Sequence, residues 1–143
     1  LLSYMIMDYY PGAVYDIDCV ASKGLAINIV PRLRIYDNPL SPFNEGCIVR
    51  KDKRIISYVS KIVSVLKCHG ACDFDIAINP LGEPRVIDAS SRLSGSVTAS
   101  IFAGVNLPSQ LVRIIKGMPT KDFEFKNNIS VRPAKIFIKV NNS

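Results

Sequence analysis

The sequence predicts an α+β domain, an antiparallel β-sheet with helices packed on it. Three observations point there. Short stretches rich in Tyr, Ile and Val alternate apolar with polar residues between Gly- and Pro-containing turns. One stretch, 51–69, repeats apolar residues at steps of three and four. Two further alternating runs flank Asn79-Pro80-Leu81-Gly82-Glu83-Pro84, a hairpin signal.

Taken in order, 3–10 and 14–22 read as strands separated by the turn signal Pro11-Gly12. Within the second, Val14, Asp16 and Asp18 alternate with Tyr15, Ile17 and Cys19. Ser22-Lys23-Gly24 turns the chain into a third strand over 25–36, and the three are expected to form an antiparallel meander. Residues 37–45, with Asn, Ser and two Pro, read as a loop. In 51–69, Ile55, Ile56, Val59, Ile62, Val63 and Leu66 share one helical face, and Gly70 is the expected stop. Strands follow at 72–79 and 85–89, then a polar loop at 90–95 and a short helix at 96–103. A second short helix opens at Asn106-Leu107-Pro108 and runs to Lys116, with Gly117 as its stop. Strand character returns at 129–132 and 134–140, and no internal repeat is present.

Length and composition suit one folded unit: 143 residues, 48% hydrophobic, 21% charged. No apolar run approaches the roughly 20 residues of a membrane-spanning helix. The start, LLSYMIMDYY, lacks a basic n-region and a cleavage site, so it does not read as a secretory signal. It also lacks an initiator Met, and the chain is expected to begin inside a longer protein. The net charge of +6 comes mostly from Arg113 onward, where seven cations face Asp122 and Glu124. Such a stretch suits an anionic partner or a solvated basic surface. A nucleic-acid-binding module is disfavoured, because Trp is absent and the cations are not interleaved with aromatics. Cys19, Cys47, Cys68 and Cys72 are expected to be reduced thiols, which suits a cytoplasmic protein. Cys68-His69-Gly70-Ala71-Cys72 has loose half-site spacing for zinc, but buried thiols explain it better.

The chemistry concentrates in the hairpin. Asp73 and Asp75 share a face because strand residues two apart point the same way. Pairing brings Asp88 beside them. Converging carboxylates near Ser90, Ser91 and Arg92 make a hard-metal and phosphate site, or else a row of solvent-facing acids. The segment Asp88-Ala89-Ser90-Ser91-Arg92-Leu93-Ser94-Gly95-Ser96 then leads into a helix N-terminus, where amides favour anions or Ser merely caps.

These residues resemble the C-terminal half of the ATP-grasp superfamily, nearest to the carboxylate–amine ligases related to the carbamoyl-phosphate synthase large subunit. The family places an acidic residue or Gln about a dozen residues before Glu-x-Asn-x-Arg. Here Asp75 stands thirteen positions before Asp88, and Asp88, Ser90 and Arg92 fall on that Glu, Asn and Arg. Asp8-Tyr9-Tyr10-Pro11-Gly12 with Tyr15-Asp16-Ile17-Asp18, Val30-Pro31-Arg32-Leu33-Arg34, and Ala103-Gly104-Val105-Asn106-Leu107-Pro108 are similar to further family segments in the same order. The departures are the shorter Asp88, the hydroxyl of Ser90, and Val14 where relatives often carry a Glu.

The resemblance implies the C-terminal portion of an ATP-grasp fold over 1–119 and a basic C-terminal extension over 120–143. It implies an ATP-dependent ligase forming a C–N bond between a carboxylate and an amine or ammonia through an acyl phosphate. In that reading Asp75, Asp88 and Ser90 hold Mg²⁺ or Mn²⁺ and Arg92 is catalytic. Met7, Asp8 and Tyr10 line the adenine, and Arg32 and Arg34 approach the phosphates. Asp16 and Glu83 are expected to be bystanders. The glycine-rich loop that covers the phosphates would lie upstream of Leu1, so these residues alone are expected to be inactive. A non-catalytic relic is the alternative. No membrane partner is expected, and a homo-oligomer is compatible with the sequence.

Overall fold

The computed structural model describes residues 6, 8–36, 45–121 and 123–134. Its elements are β1 (Val14–Ser22), β2 (Leu25–Arg34), β3 (Cys47–Val49), α1 (Lys53–Val65), β4 (Gly70–Ile78), β5 (Pro84–Ser90), α2 (Thr98–Phe102), α3 (Leu107–Ile115) and β6 (Ile129–Val131). The strands form one sheet in the order β5-β4-β1-β2-β3-β6, every neighbouring pair antiparallel. None of the described helices is long and apolar enough to cross a membrane.

The meander expected from the sequence is corrected. The open edge of β1 is taken by β4, from Val14↔Ala77 to Ala21↔Gly70. No strand N-terminal to β1 can pair there. Half of the 3–10 strand falls outside the described residues, and 6 and 8–10 have no strand geometry. The 134–140 strand likewise lies almost wholly outside them. β3 was not anticipated, because three residues are too few to show alternation. β6 lies within the basic stretch and pairs with β3.

The alternation of β1 and β2 builds two unlike faces. Tyr15, Ile17, Cys19 and Ala21 join Ile29, Phe74 and Ile76 in a core closed by Ile55, Val59 and Val63 of α1. Asp52 caps α1, accepting from the amides of Arg54 and Ile55. The helix stops earlier than expected. Lys67 takes the left-handed conformation (φ 51°) at the helix end, and the Cys68 amide donates back to the Val63 carbonyl. Gly70 opens β4 instead. Cys19 and Cys72 face each other across β1 and β4 in this core. Burial pushes both thiols up, Cys72 to about 12, and all four cysteines are free. No metal-binding cluster of His, Cys, Asp or Glu occurs among the described residues.

The opposite face is divided. Val20, Val30 and Val49 pack under Ala103, Val105 and Leu107, with Leu111 of α3 beside them. Nearer the other end of β1 and β2 the same face carries Asp16, Asp18, Arg32 and Arg34. Asp18 and Arg32 are fully enclosed and paired at 2.7 Å. The Arg32 guanidinium also donates to Ser96 O (2.6 Å), Ser96 Oγ (2.8 Å) and Ser94 Oγ (2.9 Å). Asp18 accepts from the Ser94 amide (2.7 Å) and hydroxyl (2.8 Å). The pair therefore straps the 90–96 loop onto the sheet.

Removing one partner of such a pair leaves a buried charge alone. Asp18→Ala should destabilise the protein by about 3–5 kcal/mol, and the double variant Asp18→Leu/Arg32→Met should recover much of that loss. Urea unfolding measures both. A loss below about 1 kcal/mol for Asp18→Ala would contradict the strap, since even an ordinary hydrogen bond contributes that much.

Candidate active site

Three strands set a row of carboxylates on the polar half-face. Asp16 is the register partner of Asp75, and Asp18 of Asp73, between β1 and β4. Across the hairpin, Asp75 faces Asp88 and Asp73 faces Ser90. Strand periodicity accounts for the shared face of Asp73 and Asp75, and the pairing across the hairpin adds Asp88. A β-bulge between Asp75 and Ile76 shifts the register beyond this point, so that Ile76 faces Val86. The consecutive residues Ile87 and Asp88 then both reach the site face, lining adjacent cavities.

Arg34 is the centre of the charge balance. It bridges Asp16 and Asp75, the latter at 2.5 Å, and approaches the Tyr36 hydroxyl. These partners hold its charged form firmly. Asp75 is still pushed up, by burial first and by the Asp16 carboxylate beside it, against the opposing pull of Arg34. Asp73 is raised to about 6 by burial, then by Asp18 and Asp75. Its Oδ2 accepts from Arg92 Nη1 at 3.1 Å, while its Oδ1 is buried without a partner. Ser90 Oγ, directly opposite, is also buried and unpartnered. Asp88 stands exposed on the rim, on the edge strand β5. Arg92 is 62% exposed and also donates to the Leu93 carbonyl.

Together Asp16, Arg34, Asp73, Asp75, Asp88 and Arg92 border an open polar cavity of about 240 Å³, floored by Ser94, Gly95 and Ser96. A second cavity, about 440 Å³, adjoins it, and Arg34 lines both. Tyr9, Tyr10, Tyr36, Val14 and Ile87 make it aromatic and apolar, with Asp8 at its edge. The Tyr10 hydroxyl donates to Asp8 Oδ2 at 3.2 Å.

The structure thus gathers Asp75, Asp88, Arg92 and Arg34 around one cavity and Asp8 and Tyr10 at its neighbour, whereas Ser90, whose Oγ is buried opposite Asp73, does not line the cavity. Met7 lies outside the described residues. Arg32 is a correction. Enclosed, with both terminal guanidinium nitrogens held by Asp18, Ser94 and Ser96 and its Nε left without a partner, it does not line the cavity and acts as a strap. Asp16 is a second correction: at 5% exposure and bound to Arg34, it belongs to the site. Tyr36 and Ser94 were missed. Asp73 was placed in the carboxylate group but given no role. The Asp16–Asp18 spacing that mirrors Asp73–Asp75 was the available signal for Asp16.

A family model described as ATP-grasp in the biosynthetic pathway with Ter operon matches residues 2–137. No curated protein matches significantly in sequence. Among solved structures, L-amino acid ligase from Bacillus licheniformis superposes with a TM-score of 0.61 at 18% identity, covering 84% of this chain and 32% of its own. N5-carboxyaminoimidazole synthase from Aspergillus clavatus, in complex with ADP and 5-aminoimidazole ribonucleotide, gives 0.65 at 10% identity, covering 85% and 34%. The biotin carboxylase domain of the Hydrogenobacter thermophilus 2-oxoglutarate carboxylase, with MgADP, ADP and bicarbonate, gives 0.63 at 16%, covering 82% and 28%. The chain spans about a third of the length of these structures. At such identities they establish the fold, and the family model goes further: the chain belongs to the ATP-grasp family in the biosynthetic pathway with Ter operon.

Proposed function

We propose that this protein works as an ATP-dependent ligase, joining a carboxylate to an amine or ammonia through an acyl phosphate. The observation that carries the reading is the junction at Arg34 of two unlike cavities. The tyrosine-lined cavity suits a purine base, with Asp8 and Tyr10 beside it. The polar cavity suits a polyphosphate. Structural neighbours described as an L-amino acid ligase and as complexes with ADP or MgADP support this assignment.

Among the described residues the carboxylates of the polar cavity form no ready-made metal cluster, but the chemistry of its donors suits Mg²⁺ or Mn²⁺. All are oxygens, Asp73 Oδ1 is buried there without a partner, and Ser90 Oγ, likewise buried and unpartnered, stands opposite Asp73 on β5. Asp75, Asp88 and Ser90 would hold the ion, which supplies phosphate charge neutralisation and orientation.

In the first step a substrate carboxylate oxygen bonds to the γ-phosphorus of ATP. The bond from that phosphorus to the bridging oxygen breaks, and ADP leaves with the electron pair. The amine nitrogen then bonds to the acyl carbon, the carbon–oxygen bond to phosphate breaks, and the amine proton passes to solvent. Such phosphoryl transfer needs little covalent participation from the protein; positioning and charge do most of it. Arg92 presents a planar fork at the cavity rim to the transferring phosphoryl group. Arg34 stands between base and phosphates, held there by two carboxylates.

Asp88→Asn, at the exposed rim, should leave folding intact and lower ADP formation by about 10²-fold or more. Mn²⁺ affinity, read by electron paramagnetic resonance, should fall with it. Arg92→Lys should lower turnover too, because an ammonium cannot reproduce the fork. Glu83→Gln, in the hairpin turn, serves as the unaffected control. Folded Asp88→Asn and Arg92→Lys variants at full rate would overturn the site.

The carboxylate row also sets a pH dependence. Asp73 titrates near 6, above the ordinary carboxylate value of about 3.9, so ionising it costs the folded state. Its stabilising contribution is complete below about pH 4 and lost as the pH rises through about 6. In metal-free buffer, Asp73→Asn should remove a decline in urea midpoint over that window. Parallel profiles for the two proteins would contradict the assignment.

A further inference from the structure

A third cavity, of about 300 Å³, lies between α2 and the β3–β6 edge. Cys47, Ala99, Phe102, Val131 and Pro133 give it apolar walls. Gly95 and Ser96 line both this cavity and the polar one, so the two share a boundary. No atom lies within 4 Å of a Cβ built on Gly95, so nothing fills the space beside that boundary. Close by, Gly46 lets β6 approach closely: a Cβ there would come within 2.5 Å of the Val131 carbonyl oxygen. The apolar wall is therefore built against the sheet edge. Its volume is at the low end for small-molecule pockets, roughly 300–1,000 Å³.

Resting on the ligase reading above, we propose that this cavity holds the apolar group of the carboxylate substrate, which is thus an acid bearing an aliphatic or aromatic side chain. Three cavities are then linked in succession, the first two through Arg34 and the last two through Gly95 and Ser96. The base sits at the tyrosines, the phosphates sit at Asp75, Asp88 and Arg92, and the acid's side chain lies beyond Gly95 and Ser96. Its carboxylate reaches the γ-phosphate across that boundary. Phe102, 64% exposed on α2, supplies the aromatic wall and can be changed without opening the core.

The test is ADP release and hydroxylamine trapping of the acyl phosphate, using the protein at its natural length. The carboxylates are acetate, succinate, 4-methylpentanoate and phenylpropanoate, each with ammonia or glycine amide. The two apolar acids should have KM values about 10-fold or more below that of acetate, the scale of discrimination set by one or two buried methylenes. Phe102→Ala should erase most of that advantage and leave the KM for ATP unchanged. Turnover with equal preference for all four acids would overturn the proposal. So would a Phe102→Ala effect confined to the amine. If no acid elicits ADP release, the ligase reading fails, and ligand-observed NMR decides the cavity separately. Binding of 4-methylpentanoate over acetate, lost in Phe102→Ala, supports an apolar-acid site, and no such difference overturns it.

Discussion

The buried pair between Asp18 and Arg32 is the constraint on which the rest depends. A charge pair with no exposed surface needs its remaining donors and acceptors matched, or desolvation outweighs the attraction. Here most of the matching groups come from Ser94 and Ser96, more than sixty residues away in sequence, while Arg32 Nε is left without a partner. The pair's need for partners thus fixes a loop that hydrophobic packing alone would leave free. That loop floors the polar cavity and forms its boundary with the apolar one. A polar interaction inside the sheet is accordingly what gives the site its shape.

The second consequence is electrostatic. Asp16, Asp73 and Asp75 crowd one half-face, and the sheet supplies Arg34 and Arg92 in answer. The answer is incomplete. Asp73 and Asp75 are both pushed toward their protonated forms despite these cations, and Asp73 Oδ1 has no partner. A face with surplus, half-buried carboxylate oxygens favours further positive charge, and a divalent ion satisfies that demand better than another side chain. The same surplus makes Arg34 costly to move. It is held by two carboxylates at once, which keeps it between the cavities.

Much of this was legible in the sequence because strand periodicity is exact over short runs. Residues two apart share a face, so Asp73 and Asp75 had to lie together, whereas Asp88 joins them through the bulge in the β4–β5 ladder. The spacing of Ile55, Val59 and Val63 likewise fixed the buried face of α1. What could not be read was the partnering of strands distant in sequence. Alternation places Asp16 and Asp18 on one face but is silent on whether β4 or an earlier strand lies alongside. That single pairing turned Asp16 from a bystander into a site residue. Arg32 and Arg34 illustrate the same limit. Two residues apart on one strand, they look equivalent, yet the loop covers one and leaves the other at the cavity.

The bulge in the β4–β5 ladder shows how a small irregularity serves the arrangement. In an unbroken strand Ile87 and Asp88 would point to opposite faces. The extra residue lets both reach the same face, Ile87 beside the tyrosines and Asp88 beside Asp75. One strand can therefore line an apolar and a polar cavity at consecutive positions. Because β5 is the terminal strand of the described sheet, this distortion disturbs only one neighbouring ladder. The central strands β1 and β2 have an irregularity of their own between Val20 and Ala21, but around the buried ion pair they keep the register Asp16↔Arg32 and Asp18↔Val30. The departure from regular geometry that shapes the site thus falls at the edge, beside the exposed carboxylate of Asp88.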